Sequence, residues 1–144
     1  MRYELVTPLE GITKSQPLHE AHWAEAGLPE LDINLDLETY AVLCDSESFG
    51  ILVYDESEVI GYAVIFVSTE THTQMPIAYN DAIYVKPEYR SRGVGGRLIL
   101  MCEQIAKERG AKRFQWACKE GLAMAKIFER RPVTQKQVVY ERIL

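Results

Sequence analysis

The sequence predicts a mixed α/β fold that forms one domain over residues 1–144. Short β-rich runs alternate along the chain with helical segments, and the longest helical segment has apolar residues on one face. The length of 144 residues matches about one domain. With 47% hydrophobic and 26% charged residues, the composition is that of a globular protein, which excludes disordered, collagen-like and coiled-coil chains.

The first half of the chain is predicted to contain a strand, then two helices, then two further strands. Residues 2–6 alternate as a strand does, and Pro8 ends that run. Residues 16–26 predict a helix, with Ser15 as its N-cap and Gly27 just past its end. Residues 37–44 predict a second helix. The β-rich runs 50–54 and 59–69 surround a polar turn at residues 55–58, so we predict a hairpin.

The second half begins with a predicted strand at residues 77–85, which Pro87 ends. Apolar residues then recur at the spacing of one helix face, so a helix is predicted over residues 94–109, before Gly110. A strand at 113–118, a helix at 122–130 that cannot pass Pro132, and a strand at 133–144 complete the chain. The order is strand, two helices, three strands, helix, strand, helix, strand.

Several classes of protein are not expected. The longest apolar stretch, residues 59–67, has nine residues, whereas a membrane-spanning helix needs about 20. No secretory signal is recognisable, and three cysteines without C-x-x-C spacing indicate reduced thiols and a cytoplasmic location. His19 and His22 are three residues apart rather than the four of H-E-x-x-H, and no third ligand is evident, so no metal is expected.

The charge is divided unevenly along the chain. Residues 1–81 contain 2 basic and 15 acidic residues, residues 82–113 contain 8 and 3, and residues 114–144 contain 6 and 3. The basic part suits an anionic ligand, and the acidic part repels one. General binding to nucleic acid is therefore not expected.

The residues that point to chemistry form a glycine-rich turn, Arg90-Ser91-Arg92-Gly93-Val94-Gly95-Gly96-Arg97. The glycines let the backbone approach a ligand, and the following helix presents free N–H groups and a partial positive charge. With three arginines beside it, this turn predicts a site for a phosphate or pyrophosphate. It lacks the Lys-Ser/Thr of a P-loop, and Leu98 stands where the dinucleotide fingerprint has its third glycine.

Residues 90–95 resemble the Arg/Gln-x-x-Gly-x-Gly/Ala signature of the GNAT N-acetyltransferase superfamily. Residues 81–89 resemble that family's fourth strand and its Val-x-Pro-Glu-Tyr-Arg extension, and the element order agrees over almost the whole chain. The resemblance implies a mixed, mostly antiparallel sheet of six to seven strands flanked by about four helices. It also implies acetyl-CoA as the co-substrate.

Cofactor contacts follow from the same resemblance. The CoA pyrophosphate is expected on the backbone amides of the turn, with arginine side chains beside them; these residues are Arg90, Arg92, Gly93, Val94, Gly95, Gly96 and Arg97. The pantetheine arm is expected along the edge of the fourth strand, at Ile83, Tyr84 and Val85. Phe128 occupies the position where many members carry a tyrosine that meets the departing thiolate, so Tyr140 or water is the alternative acid.

Transfer to an amine requires a group that removes its proton. Asp81 is the first candidate, because polyamine-type members carry a carboxylate four residues before the position of Val85. A two-residue period would place Asp81, Ile83 and Val85 on one face of the strand. His72 and Glu70, in the loop before this strand, are the alternatives, and a local capping role for Asp81 stays open.

The acceptor pocket of the family lies against its first helix, which implies substrate contacts for His22, Trp23 and Glu25, and Lys119 is a further candidate. Core packing of Trp23 and solvation of Lys119 are the alternatives. The acidic first half favours a cationic acceptor, either a small molecule or a protein amine. A narrower similarity is to phage-encoded members with a His-Trp helix and an Asn-Asp pair like Asn80-Asp81, and a homodimer would agree with the family.

Two functions are therefore considered. The first is an N-acetyltransferase that acts on a primary amine by direct attack in a ternary complex. The second is a non-catalytic module that binds acyl-CoA, suggested by Phe128 in place of the usual tyrosine.

Overall fold

A computed structural model describes residues 1–144 and contains one five-stranded sheet. The strands lie side by side in chain order: β1 (Arg2–Val6), β2 (Phe49–Asp55), β3 (Glu58–Thr69), β4 (Pro76–Val85) and β5 (Arg113–Gln115). The first three pairings are antiparallel, and β4 pairs with β5 in parallel. The predicted mixed, mostly antiparallel sheet is therefore confirmed.

Five helices accompany the sheet: α1 (Pro8–Lys14), α2 (His19–Ala26), α3 (Leu37–Leu43), α4 (Val94–Glu108) and α5 (Ala123–Glu129). Short 3-10 turns occupy residues 16–18 and 87–92. None of these helices combines the length and apolar character needed to cross a membrane.

Helix α1 was not predicted, because Pro8 was interpreted only as the end of a strand. Pro8 instead occupies the first helical turn, where its missing N–H leaves no hydrogen bond unmade. Thr7 caps the helix by accepting a hydrogen bond from the Glu10 N–H at 3.1 Å. Ser15 is not the predicted side-chain cap, since its hydroxyl donates to the Ile12 carbonyl at 3.1 Å.

The sheet is covered on both faces, which explains the long apolar run in β3. Ala63, Ile65 and Val67 belong to the core beneath α4, whereas Tyr62 and Val64 belong to the core on the side of α1 and α3. A strand buried on both faces carries apolar residues continuously rather than alternately. The sheet thus separates two cores, and β4 runs between them.

The predicted strand at residues 133–144 is wrong, and β5 ends at Gln115 rather than at residue 118. Residues 131–144 form no helix or strand, and Val138, Val139 and Tyr140 are exposed. The β-rich composition of this segment does not suffice, because a strand needs a neighbour to bond its backbone groups. The sheet consequently has five strands rather than the expected six to seven.

Candidate active site

The loop that leads from β4 to α4 is fixed on the hairpin formed by β2 and β3. The Tyr89 hydroxyl donates to Asp55 Oδ2 at 2.8 Å, and Lys86 pairs with Glu58. The Lys86 N–H also donates to the Ile60 carbonyl at 2.9 Å. These contacts hold the start of the glycine turn, which we define as residues 90–96, at a set distance from the sheet.

Gly93 begins α4 with a φ of +75°, a left-handed conformation that favours glycine. The N–H groups of the first helical turn have no intrahelical partner, so they remain available to an anion. A Cβ on Gly96 would meet nothing within 4 Å, and one on Gly95 would lie 3.6 Å from Ile127 Cδ1. The turn therefore presents open backbone rather than a filled surface.

Two arginines stand exposed beside this backbone. The Arg92 guanidinium lies 4.9 Å from the centre of the Tyr89 ring, and that of Arg97 lies 4.9 Å from the Tyr3 ring. Both side chains remain accessible for a phosphate. The N–H groups and guanidinium groups that the sequence predicts for an anion site thus lie together at one helix end.

Arg90 is placed differently from the other two arginines. Its Nε donates to the Val85 carbonyl at 2.8 Å, and its terminal nitrogen pairs with Glu25 Oε2 at 2.6 Å. The guanidinium also lies 5.3 Å from the centre of the Tyr84 ring. Arg90 therefore contacts both Glu25 and Tyr84, two other residues that the sequence predicts for the site.

Strand β4 has a free edge along its second half. Its pairing with β5 covers only Ile77, Ala78 and Tyr79. The Asn80 side chain then forms two hydrogen bonds with the backbone of Ala117, at 2.8 and 2.9 Å, which close the end of the paired region. From residue 81 to Val85 the strand pairs only with β3, so the predicted pantetheine-binding residues Ile83, Tyr84 and Val85 lie on an unpaired edge.

A bulge at Asp81 corrects the predicted alternation along β4. Ala82 pairs with Val64 and Asn80 pairs with Ile65, so Asp81 is an extra residue between them. Asp81 consequently faces the side of Tyr40, whereas Ile83 and Val85 join the core beneath α4. A bulge places two successive side chains on one face, which a strict two-residue period cannot anticipate.

Asp81 borders a cavity of about 260 Å³ that also includes a second carboxylate, Asp36; its lining is Asn34, Leu35, Asp36, Thr39, Tyr40, Phe66 and Asp81. The Tyr40 hydroxyl donates to Asp81 Oδ2 at 2.6 Å. Burial raises the pKa of Asp81, and the Tyr40 hydrogen bond opposes that rise. We call this space the Asp81 cavity.

His22 lies between two tyrosines on the same face of the sheet. Its Nδ1 is 2.6 Å from the Tyr62 hydroxyl, and its ring stacks on Tyr84 at a centroid distance of 4.9 Å. Burial lowers the pKa of His22 to about 4. The imidazole is therefore neutral at pH 7 and available for hydrogen bonding.

Trp23 neither enters the core nor borders the Asp81 cavity. Its side chain is 36% exposed, and its Nε1 donates to the Leu31 carbonyl at 2.8 Å. This bond joins α2 to the segment 27–36, which ends at the wall of the cavity.

His72 and Glu70 are occupied in the turn between β3 and β4. Glu70 accepts from the Thr73 hydroxyl at 2.7 Å and from the backbone N–H groups of His72 and Thr73. These hydrogen bonds, that of the Thr73 side chain first, lower the pKa of Glu70 to about 2. The His72 side chain is 91% exposed and does not line the Asp81 cavity.

The remaining candidates lie apart from the cavity. Lys119 is exposed, and Tyr140 is 92% exposed in the irregular C-terminal segment. Phe128 packs against Trp116 at a centroid distance of 5.4 Å. Its ring has no hydroxyl that could act as an acid. Separately, the structure contains no group of three or more His, Cys, Asp or Glu side chains that could hold a metal ion.

Tyr40 and Tyr62 were not predicted to belong to the site. Tyr40 lies in a helix that was correctly predicted, but no motif marked its hydroxyl. Tyr62 lies within the apolar run of β3, where an aromatic residue is expected in the core. Both are placed beside Asp81 or His22 only by packing between distant segments.

Comparisons with known proteins agree with this architecture. A family model described as the acetyltransferase (GNAT) family matches residues 15–131. The thialysine N-epsilon-acetyltransferase of Sus scrofa is 36% identical over 59 residues, which are 41% of this chain and 34% of that protein. The aligned region thus spans about a third of the length of the curated relative.

Solved structures share the fold at low identity. An aminoglycoside acetyltransferase from an uncultured soil metagenomic sample, in complex with trehalose, superposes with a TM-score of 0.77 at 19% identity, covering 99% of this chain and 95% of that one. AAC(6')-Iy, in complex with the bisubstrate analogue CoA-S-monomethyl-acetylneamine, has a TM-score of 0.69 at 15% identity, with all of both chains covered. Since the family model matches most of the sequence, this chain belongs to the acetyltransferase (GNAT) family.

Proposed function

We propose that this protein transfers the acetyl group of acetyl-CoA to a primary amine, by direct attack of the amine in a ternary complex. The observation that carries this proposal is the geometry of β4. One strand has Asp81 at the start of its unpaired edge and leads, past Val85, to the open amides of the glycine turn. An acyl donor and a proton acceptor can thus be held along a single element.

The residues present suit acetyl-CoA. The first-turn amides of α4, with Arg92 and Arg97, provide the donors and the positive charge that a pyrophosphate requires. The free edge of β4 offers backbone groups to the amides of an extended pantetheine arm. Acetyl-CoA would supply the acetyl group as an activated thioester.

Asp81 is proposed to receive the proton. An alkylammonium has a pKa near 10 and must lose a proton before its nitrogen can attack. Because partial burial of its carboxyl group raises the pKa of Asp81 above the usual value, this carboxylate is a stronger base than an ordinary aspartate. The nitrogen forms the new C–N bond as the C–S bond breaks, and its proton passes to Asp81 directly or through a water molecule.

No tyrosine is needed to protonate the leaving thiolate. Phe128 has no acidic proton, but a free thiol has a pKa near 8.5, so a thiolate is an adequate leaving group that water can protonate. We therefore assign Tyr140 no role in the proposal, since its ring is almost fully exposed.

The acceptor is proposed to be a cationic amine, either a small molecule or a lysine side chain. Two carboxylates, Asp36 and Asp81, line the same cavity, and residues 1–81 carry a large excess of acidic residues. The similarity to thialysine N-epsilon-acetyltransferases supports an amine on a flexible alkyl chain.

The test is release of free thiol from acetyl-CoA with thialysine, lysine, spermidine and sisomicin as acceptors. We expect at least one of these amines to be acetylated, and Asp81→Ala to reduce the rate. Asp45→Ala, at an exposed aspartate outside the cavity, is the matched control and should retain full activity. If no amine exceeds the rate of the Asp81→Ala variant, the proposal fails.

A second candidate function is acyl-CoA binding without catalysis, which the packing of Phe128 against Trp116 favours. Under this hypothesis acetyl-CoA raises the melting temperature while no thiol is released. Gly95→Glu should abolish the shift under both hypotheses, because it places a carboxylate at the anion site. Leu100→Glu, at an exposed position on the same helix, introduces the same charge and should keep the shift. A shift that survives Gly95→Glu would contradict the assigned acetyl-CoA site.

A further inference from the structure

Helix α2 is attached to the sheet by polar contacts rather than by apolar burial. Its one buried residue is His19, whose Nε2 is 2.9 Å from the Ser15 hydroxyl. His22 contacts the Tyr62 hydroxyl, and Glu25 pairs with Arg90. These three residues are spaced by three, so they share one face of the helix. The position of α2 therefore depends on a few side-chain bonds.

Arg90 is the member of this set that comes from the glycine turn. Its guanidinium is directed inward, where Val85 accepts one N–H and Glu25 another, and its side chain is 28% exposed. A guanidinium already neutralised by a carboxylate attracts a phosphate weakly, whereas Arg92 has no such partner. Of the two arginines in the glycine turn, Arg90 thus points inward to Val85 and Glu25, and Arg92 is exposed.

A displacement of α2 would also move residues that line the Asp81 cavity. Trp23 is bonded to the Leu31 carbonyl, and the same segment continues to Asn34, Leu35 and Asp36, which line the cavity. His22 and Arg90 also contact the same ring, Tyr84, from α2 and from the turn. The cavity wall is therefore connected to the Glu25–Arg90 pair through α2.

We propose that Arg90 and Glu25 are positioning residues for the amine acceptor, and that Arg90 does not serve as a phosphate ligand. The pair fixes α2 on the edge of β4 and thereby sets the wall of the Asp81 cavity. This inference rests on the proposed function for its catalytic meaning. It assigns to the first arginine of the turn a role on the acceptor side of the site.

The kinetic test compares Arg90→Gln, Glu25→Gln and the double variant with Arg92→Gln as the matched control. Affinity for acetyl-CoA is measured by calorimetry, and KM is measured with thialysine as the acceptor. Arg90→Gln and Glu25→Gln should each raise the acceptor KM about tenfold, the effect of losing one charge-assisted hydrogen bond, with little change in acetyl-CoA affinity. The double variant should be no worse than either single variant, because both remove the same contact. Arg92→Gln should weaken acetyl-CoA binding and leave the acceptor KM unchanged.

Hydrogen exchange of the full chain provides a readout that needs no turnover. Arg90→Gln and Glu25→Gln should both increase amide exchange in residues 19–36 and leave residues 94–108 protected, whereas Arg92→Gln should change neither region. If Arg90→Gln weakens acetyl-CoA binding as much as Arg92→Gln does, or if Glu25→Gln leaves exchange in 19–36 unchanged, the inference is overturned. If the wild-type protein acetylates no amine while exchange responds as expected, the proposed function fails and the positioning role is supported.

Discussion

Helices α4 and α2 contribute to the two sides of the same strand, β4, yet they are held in different ways. Helix α4 buries Val94, Leu98, Ile99, Cys102 and Ala106 in the core beneath it. Helix α2 buries only His19 and otherwise depends on bonds from His22 and Glu25. Apolar burial is insensitive to small shifts, whereas a hydrogen bond requires a set distance and angle. The glycine turn is thus anchored by apolar burial, whereas α2, which borders the proposed acceptor site, is held by bonds that a single substitution can remove.

The largest expected effect is on catalysis at the acceptor side. Asp81→Asn should lower kcat by about 10²–10⁴-fold, the usual contribution of a general base. In the wild type, kcat/KM should fall as the pH drops through the raised pKa of Asp81, and the variant should lose this acidic limb. Asp45→Asn is the control, and a variant that keeps both its rate and its acidic limb would remove Asp81 from the mechanism.

Asp81→Asn should also change the stability of the fold, and the direction of that change follows from the pKa of Asp81. Burial raises the pKa of Asp81 in the folded protein, so the folded state favours the protonated form and ionisation destabilises it. The protonated carboxyl of Asp81 contributes its full stabilisation below about pH 3.9, the pKa of an aspartate in the unfolded chain. This stabilisation is lost as the pH rises through the higher pKa of Asp81 in the folded protein. Asp81→Asn should therefore raise Tm at pH 7, and the gain should vanish near pH 3, as measured by thermal melts.

The second effect concerns the apolar anchoring of α4. Leu98 is fully buried, so Leu98→Ala should reduce the free energy of unfolding by about 2–5 kcal/mol. Leu100, on the same helix, is 60% exposed, and Leu100→Ala should stay within about 0.5 kcal/mol of the wild type. Urea unfolding measures both. Equal losses would contradict the assignment of α4 to the core.

The third effect is a difference in how the stabilities of α2 and α4 depend on pH. Burial lowers the pKa of His22 from 6.5 in the unfolded chain to about 4 in the folded protein. Its neutral form therefore stabilises the fold above pH 6.5, and this contribution, at most about 3 kcal/mol, is lost as the pH falls toward 4. Exchange in α2 should rise over this range before exchange in α4, since residues 82–144 contain no histidine.

His22→Gln provides the comparison for that titration. The variant should have a flatter dependence of Tm on pH between 6.5 and 4, while the remaining His19, whose pKa burial also lowers, continues to contribute. An unchanged slope in the variant would show that another group controls the titration.

The smallest effect is that of the Tyr40 hydroxyl. Tyr40→Phe removes the 2.6 Å bond to Asp81, which should lower the free energy of unfolding by about 1 kcal/mol. Because this bond opposes the rise in the pKa of Asp81, the acidic limb of the kcat/KM profile should move to higher pH. Tyr79→Phe, at a tyrosine with no side-chain hydrogen bond, is a suitable control. A limb that stays in place would indicate that the bond does not affect the base.

The sequence was sufficient for the sheet core, α4 and the glycine turn, because each depends on local signals. Apolar spacing located α4 within one residue, and the glycines located the turn that precedes it, at Gly93. The strand predicted at residues 133–144 does not form, because β-rich composition is not enough: a strand forms only where a neighbour can bond its backbone groups. Helix α1 was not predicted, because a proline at position 8 is compatible both with the end of a strand and with the start of a helix.

The contacts around Asp81 and α2, where we propose that the acceptor binds, could not be predicted from sequence patterns. Asp81 is predicted as the proton acceptor from its position before Val85, but the bulge that turns it toward Tyr40 depends on how β3 and β4 pair. The contacts of His22 with Tyr62 and of Glu25 with Arg90 join residues 40 and 65 positions apart. Local sequence determined where the glycine turn lies and which helix follows it. Only the tertiary structure decided which side chains meet around Asp81, because those contacts depend on the packing of distant segments.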